Sequence, residues 1–102
     1  NLWTLLLENR LSATSRARLT GWLRASNTGG KRLRAGLPKG WGAGDKTGSG
    51  GRGTTNDIGI LWPPGRPPAI VAAYLTATAA PSERRDETLA AVGRVIASTL
   101  DR

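Results

Sequence analysis

Neither cysteine nor histidine occurs anywhere in these 102 residues. The first absence removes disulfides and thiol catalysis. The two together remove the common zinc sites and any serine–histidine triad. Lack of cysteine says little about compartment, since cytosolic and exported proteins both do without it. Aromatics are confined to Trp3, Trp22, Trp41, Trp62 and Tyr74, too few and too spaced for a base-stacking platform. Acidic residues are scarce, 7 against 15 lysines and arginines, which leaves a net charge of +8. The excess is scattered through Arg10, Arg16, Arg18, Arg24, Lys31, Arg32, Arg34, Lys39, Arg84 and Arg85. It reads as the solvated basic surface of part of a larger protein, not as a nucleic-acid interface.

The opening apolar run Leu2–Leu7 is far too short to span a membrane, and it lacks the basic lead and cleavage site of a signal peptide. It reads as the end of a helix whose beginning is missing, because no capping residue precedes it; the sequence is therefore taken as a fragment. At this length at most one small domain is expected, and 14 glycines raise the entropy cost of ordering it.

Ser12 or Thr14 is suited to cap a second helix. On it Leu19, Trp22 and Leu23 fall at i, i+3 and i+4 and predict one core face. Asn27-Thr28-Gly29-Gly30 is expected to end that helix with a left-handed glycine. Lys31-Arg32-Leu33-Arg34 is a candidate short turn, and Trp41–Ser49 is a glycine-rich candidate strand. After the turn Gly50–Gly53, Ile58, Ile60 and Trp62 alternate with Gly59 and Leu61, a strand signal of period two. The prolines of Pro63–Pro68 mark a connection. Ala69–Leu75 is apolar throughout and predicts a central strand covered on both faces. Pro81 and Ser82 start a last helix, and Leu89, Val92, Ile96 and Leu100 lay it against the sheet. The short connections favour antiparallel pairs.

Asp45-Lys46-Thr47-Gly48-Ser49-Gly50 sets a cation, a hydroxyl and unhindered backbone amides side by side. Those groups suit capture of an anionic acyl substrate. On a strand the side chains of Lys46 and Thr47 start on opposite faces, so the two cannot duplicate one contact. A lysine-threonine-glycine tripeptide alone is weak, but it is a named signature of class A β-lactamases and penicillin-binding proteins. Its setting is far more specific. The stretches Leu11–Arg16, Leu37–Gly50, Gly53–Ile58 and Trp62-Pro63 together resemble the last third of a class A serine β-lactamase, and the resemblance covers essentially the whole chain.

That resemblance implies an α/β (α+β sandwich type) fold piece: helices, a three-stranded antiparallel meander, and a C-terminal helix packed on the sheet. Residues 1–102 would be the C-terminal part of a single catalytic domain whose N-terminal portion is absent, otherwise monomeric and periplasmic or secreted. It implies hydrolysis of β-lactam antibiotics through a serine acyl-enzyme, with no cofactor, no metal, no nucleic acid and no membrane as partners. Lys46 and the backbone N–H of Ser49, an oxyanion-hole donor, would act in catalysis. Lys46, Thr47, Gly48, Ser49 and Arg32 would bind substrate. Many class A enzymes carry a carboxylate-binding arginine where this chain has Thr55; others place it where Arg32 stands, which favours Arg32 over Arg84 or Arg85. Trp41 and Trp62 are assigned to packing, and Asp45 and Asp57 to structural support.

The family's nucleophile is a serine followed three residues later by lysine. Here Ser12, Ser15, Ser26, Ser49, Ser82 and Ser98 are followed at that distance by Ser15, Arg18, Gly29, Arg52, Arg85 and Asp101. With no nucleophile beside a base, the isolated chain is expected to be inactive. Two alternatives stand beside this reading: a fragment of a penicillin-binding transpeptidase or carboxypeptidase, against which Gly53–Asp57 argues, and a non-catalytic basic binding module, which predicts salt-sensitive DNA binding.

Overall fold

The structure is a computed structural model and describes residues 1–101. Two short helices come first, α1 (Leu2–Leu7) and α2 (Ala13–Arg24), then a 3₁₀ turn at Leu33–Gly36. Three strands follow, β1 (Gly42–Ser49), β2 (Thr55–Trp62) and β3 (Ala69–Leu75), and the chain closes with α3 (Ser82–Leu100). The strands form one antiparallel meander in the order β1-β2-β3. This is the α+β arrangement expected from the sequence.

Side-chain alternation on β2 divides the core in two. Ile60 faces one side of the sheet and packs with Leu6 of α1 and Leu23 of α2. Leu61 faces the other side and packs with Leu33 and Val71, backed by Val92 and Ile96 of α3 and by Trp41. Helices therefore lie on both faces, and neither cluster is large. Trp41 and Trp62 pack as assigned; the Arg24 guanidinium also lies 3.9 Å above the Trp62 ring.

Ser12 is the cap of α2, its hydroxyl accepting from the Ser15 N–H at 3.1 Å. Three expectations need correction. First, α2 ends at Arg24, and Ala25 in right-handed helical geometry closes it; no left-handed glycine is used. Gly29 is small for another reason: a Cβ there would overlap the Asp45 carboxylate. Second, Trp22 is 67% exposed and does not belong to the core face. Successive helical residues are rotated by about 100°, so seating Leu23 against Gly44 of β1 turns its neighbour Trp22 outward. Third, β3 is an edge strand. Val71 is buried, but Ala72 and Tyr74 are exposed, because the described elements cover only part of that strand.

The 3₁₀ turn is clamped to α3 through paired glycines. A Cβ on Gly36 would overlap the Ala90 carbonyl, and one on Gly93 would overlap the Leu33 carbonyl. This backbone-to-backbone contact brings the turn, with Arg32 just before it, over the end of β1. Among the described residues no helix is long and apolar enough to cross a membrane.

Candidate functional site

The end of β1 is where the chemistry-bearing residues gather. Lys46 is exposed on this edge strand and pairs across to Ile58, whereas Thr47 pairs with Asp57 and Ser49 with Thr55. The Lys46 ammonium donates to the Thr47 carbonyl at 2.6 Å. Thr47 Oγ1 lies 2.8 Å from Thr28 Oγ1, so two hydroxyls adjoin on the same patch.

Arg32 crosses from the turn before the 3₁₀ segment and is only 14% exposed. Its Nη1 donates to the carbonyls of Gly48 at 3.0 Å and Asn56 at 2.8 Å, and its Nη2 to Ser49 Oγ at 2.9 Å. Its Nε donates to Asp86 Oδ1 of α3, also at 2.9 Å. A guanidinium has five N–H groups. These four bonds leave one on Nη2, beside Ser49. The other two arginines go elsewhere. Arg85 donates through Nε to Thr55 Oγ1 at 2.9 Å and through Nη1 to the Ala80 carbonyl, which ties the start of β2 to the entry of α3. Arg84 is exposed on α3 beside Glu87, Thr88 and Arg94. Of the three, Arg32 alone contacts β1.

Beneath the patch lies a pair of buried carboxyls. Asp45 is 3% exposed and takes the Arg34 Nε–H at 2.8 Å on Oδ1; Asp57 is fully buried and takes the Leu33 N–H at 3.2 Å on Oδ2. Asp45 thus has its cation and Asp57 its turn, as the structural assignments anticipated. Each keeps a second buried oxygen, Asp45 Oδ2 and Asp57 Oδ1, without any other partner. Burial drives the Asp57 pKa up from the ordinary 3.8 to about 8, aided by the hydrogen bond and charge of Asp45 and opposed by the Leu33 N–H and Arg32. A proton on Asp57 Oδ1 donating to Asp45 Oδ2 satisfies both leftover atoms at once. The pair then carries one negative charge, matched by Arg34.

Two residues of the patch carried no sequence signal. Thr28 sits in a segment that read only as a helix terminus, and Asp86 lies 54 residues from Arg32 in the last helix, where nothing in the sequence singled it out. Both become visible only when the turn docks on α3 and β1. In chemical terms the patch offers one guanidinium N–H beyond those four bonds, three hydroxyls, an ammonium and the amides of an unhindered strand edge, a donor set suited to a carboxylate next to a polarised carbonyl.

A family model described as "Beta-lactamase enzyme family" matches residues 1–100. The chain is 47% identical over 95 residues to β-lactamase CTX-M-25 of Escherichia coli, covering 93% of this chain and 33% of the relative. It is 43% identical over 100 residues to a β-lactamase of Citrobacter koseri, covering 98% and 34%. Among solved structures, an ancestral (GNCA) class A β-lactamase superposes with a TM-score of 0.94 at 54% identity over 96% of this chain and 38% of that one. The chain thus spans about a third of the length of the curated relatives it matches.

Proposed function

Because the chain belongs to the class A β-lactamase family, we propose that it is the C-terminal part of one catalytic domain that hydrolyses β-lactam antibiotics through a serine acyl-enzyme. The observation that carries this reading is the convergence of Arg32, Thr47 and Ser49 on the end of β1. In this reading the missing two-thirds supply the nucleophile and its bases, and this chain supplies one wall of the site.

The roles follow from the groups present. The substrate carboxylate takes the remaining Nη2–H of Arg32 and the hydroxyl of Thr47, displacing the bond Thr47 makes to Thr28. Lys46 leaves its own strand's carbonyl for a hydroxyl supplied by the part of the domain outside this chain, and adds positive potential. The Ser49 N–H helps hold the oxyanion that forms when the lactam carbonyl is attacked; a donor of this kind is typically worth about 10²–10³ in rate. Gly48 keeps the strand low enough for substrate to lie alongside it. Asp45 and Asp57 fix β1 from below and touch no substrate. A chain with this role works outside the cytoplasm, in the periplasm or secreted, as a monomer with no cofactor.

The test joins this chain to the first two-thirds of a class A relative and follows hydrolysis of a chromogenic cephalosporin. Turnover by the joined enzyme, lost on Lys46→Ala and strongly reduced on Thr47→Ala, is the expected result. Unchanged turnover in both variants would refute the roles, and a folded but inactive joined enzyme would overturn the reading itself.

A further inference from the structure

Away from the β1 patch, an open groove of about 560 Å³ runs between α1, α2 and the end of β2. Its floor includes Leu6 and Ile60, both members of the buried cluster on that face, and the half-buried Trp62. Core side chains thus continue into the groove with no covering layer. Arg16 and Arg24 of α2 line the same groove, and no acidic residue does. The Arg24 guanidinium sits over the Trp62 ring, 3.9 Å from its centroid, a contact that holds the cation in place but supplies no counter-charge. Arg16 Nη1 donates to the neutral Asn9 Oδ1 at 3.0 Å. Among the described residues the ion pairs are Arg32–Asp86 and Arg34–Asp45, so neither groove arginine has one.

We propose that this groove seats an apolar segment bearing a carboxylate, supplied by the part of the domain outside this chain; this rests on the reading of the chain as one portion of a class A domain. Continuity with the core argues for a neighbour from the same domain, since Leu6 and Ile60 belong to groove and core alike. A cover that meets them must be apolar there. It must also bring an acid, because a guanidinium covered by apolar groups alone loses its hydration without compensation. A second copy of this chain fits badly. It would bring a net charge of +8, and its Asp45, Asp57 and Asp86 are already engaged.

The joined enzyme described above tests this, built with a cysteine-free upstream segment from a class A relative that has lysine or arginine where Arg24 stands. Arg16→Glu and Arg24→Glu are each expected to lower its unfolding midpoint by about 5 °C. Arg16→Glu is the sharper variant, because Arg16 lies in the first turn of α2, where the helix dipole alone would favour glutamate. Arg18→Glu, on the same helix but outside the groove, is the control and should shift the midpoint by less than about 2 °C. One Asp→Lys or Glu→Lys change in the upstream segment should restore the midpoint of Arg24→Glu, since residues in contact do not add. Ala17→Cys places a lone thiol in the groove and should react with a thiol reagent about tenfold more slowly than Lys39→Cys on an exposed turn. Equal reactivity of the two thiols in an active joined enzyme would mean that nothing covers the groove, and the proposal falls while the catalytic reading stands. Protection that grows with protein concentration would make a second copy the occupant instead. Unchanged midpoints in both groove variants, or an equal loss in Arg18→Glu, would remove the carboxylate and with it the proposal. A folded but inactive joined enzyme would sink the parent reading and this one together.

Discussion

Asp57 shows how one buried side chain can make a strand's stability depend on pH. Its pKa of about 8 in the folded chain exceeds its ordinary 3.8, so the folded state binds this proton more tightly than the unfolded state. The contribution to stability is therefore fully present below about pH 4, declines as pH rises towards 8, and is flat above that. Asp57→Asn keeps an acceptor for Leu33 and supplies a permanent donor for Asp45 Oδ2. The expected outcome is that thermal unfolding of the joined enzyme loses part of its decline between pH 5 and 8 in this variant; parallel curves for variant and parent would sink the shared-proton picture. Arginine choice is a second residue-scale matter. Arg32→Ala should raise KM for a carboxylate-bearing substrate, whereas Arg85→Ala should leave KM alone and lower the unfolding midpoint, since Arg85 holds Thr55 and Ala80 together. A KM rise in Arg85→Ala comparable to that of Arg32→Ala would reverse the assignment.

Elements were legible in the sequence wherever a local rule operates. A cap at Ser12 or Thr14, of which the structure uses Ser12, the alternation of β2, the proline connection and the apolar stripe of α3 each came from local residue type and spacing. Trp22 misled because its spacing fitted a core face, and only docking of Leu23 on β1 decides which way the helix turns. Asp86 and Thr28 were silent for the same reason: their partners are set by tertiary contact, not by neighbours in sequence. The glycines of the 3₁₀ turn and α3 were equally unreadable, although they fix the site's outer wall. Gly36→Ala is expected to push the turn off α3 at the upper end of about 1–3 kcal/mol, the usual range for overpacking. It should also raise KM, because Arg32 rides on that turn. Gly30→Ala, with open space around it, is the control and should change stability by less than about 0.5 kcal/mol. Similar unfolding midpoints for the two variants would show that the backbone contact is not needed.

At the scale of the whole molecule, the edge of β3 carries the strongest expectation. Ala69–Leu75 contains no charge, no proline and no bulge, none of the devices that blunt an exposed edge. Its all-apolar composition is that of a strand with neighbours on both sides, which is how the sequence reads it, yet here only β2 pairs with it. The two statements agree if, in the joined enzyme, the segment taken from the class A relative adds a strand beside β3. Leu2, Ile58, Ile70 and Tyr74 border a half-open groove on the same part of the sheet, and Trp3 and Tyr74 are more than half exposed there. Hydrogen exchange in the joined enzyme should then protect every amide of β3. Were β3 an edge there too, roughly alternate amides would face water and exchange freely. An active enzyme in which alternate β3 amides still exchange at unprotected rates would leave the edge genuinely free. The apolar strand would then need a different partner.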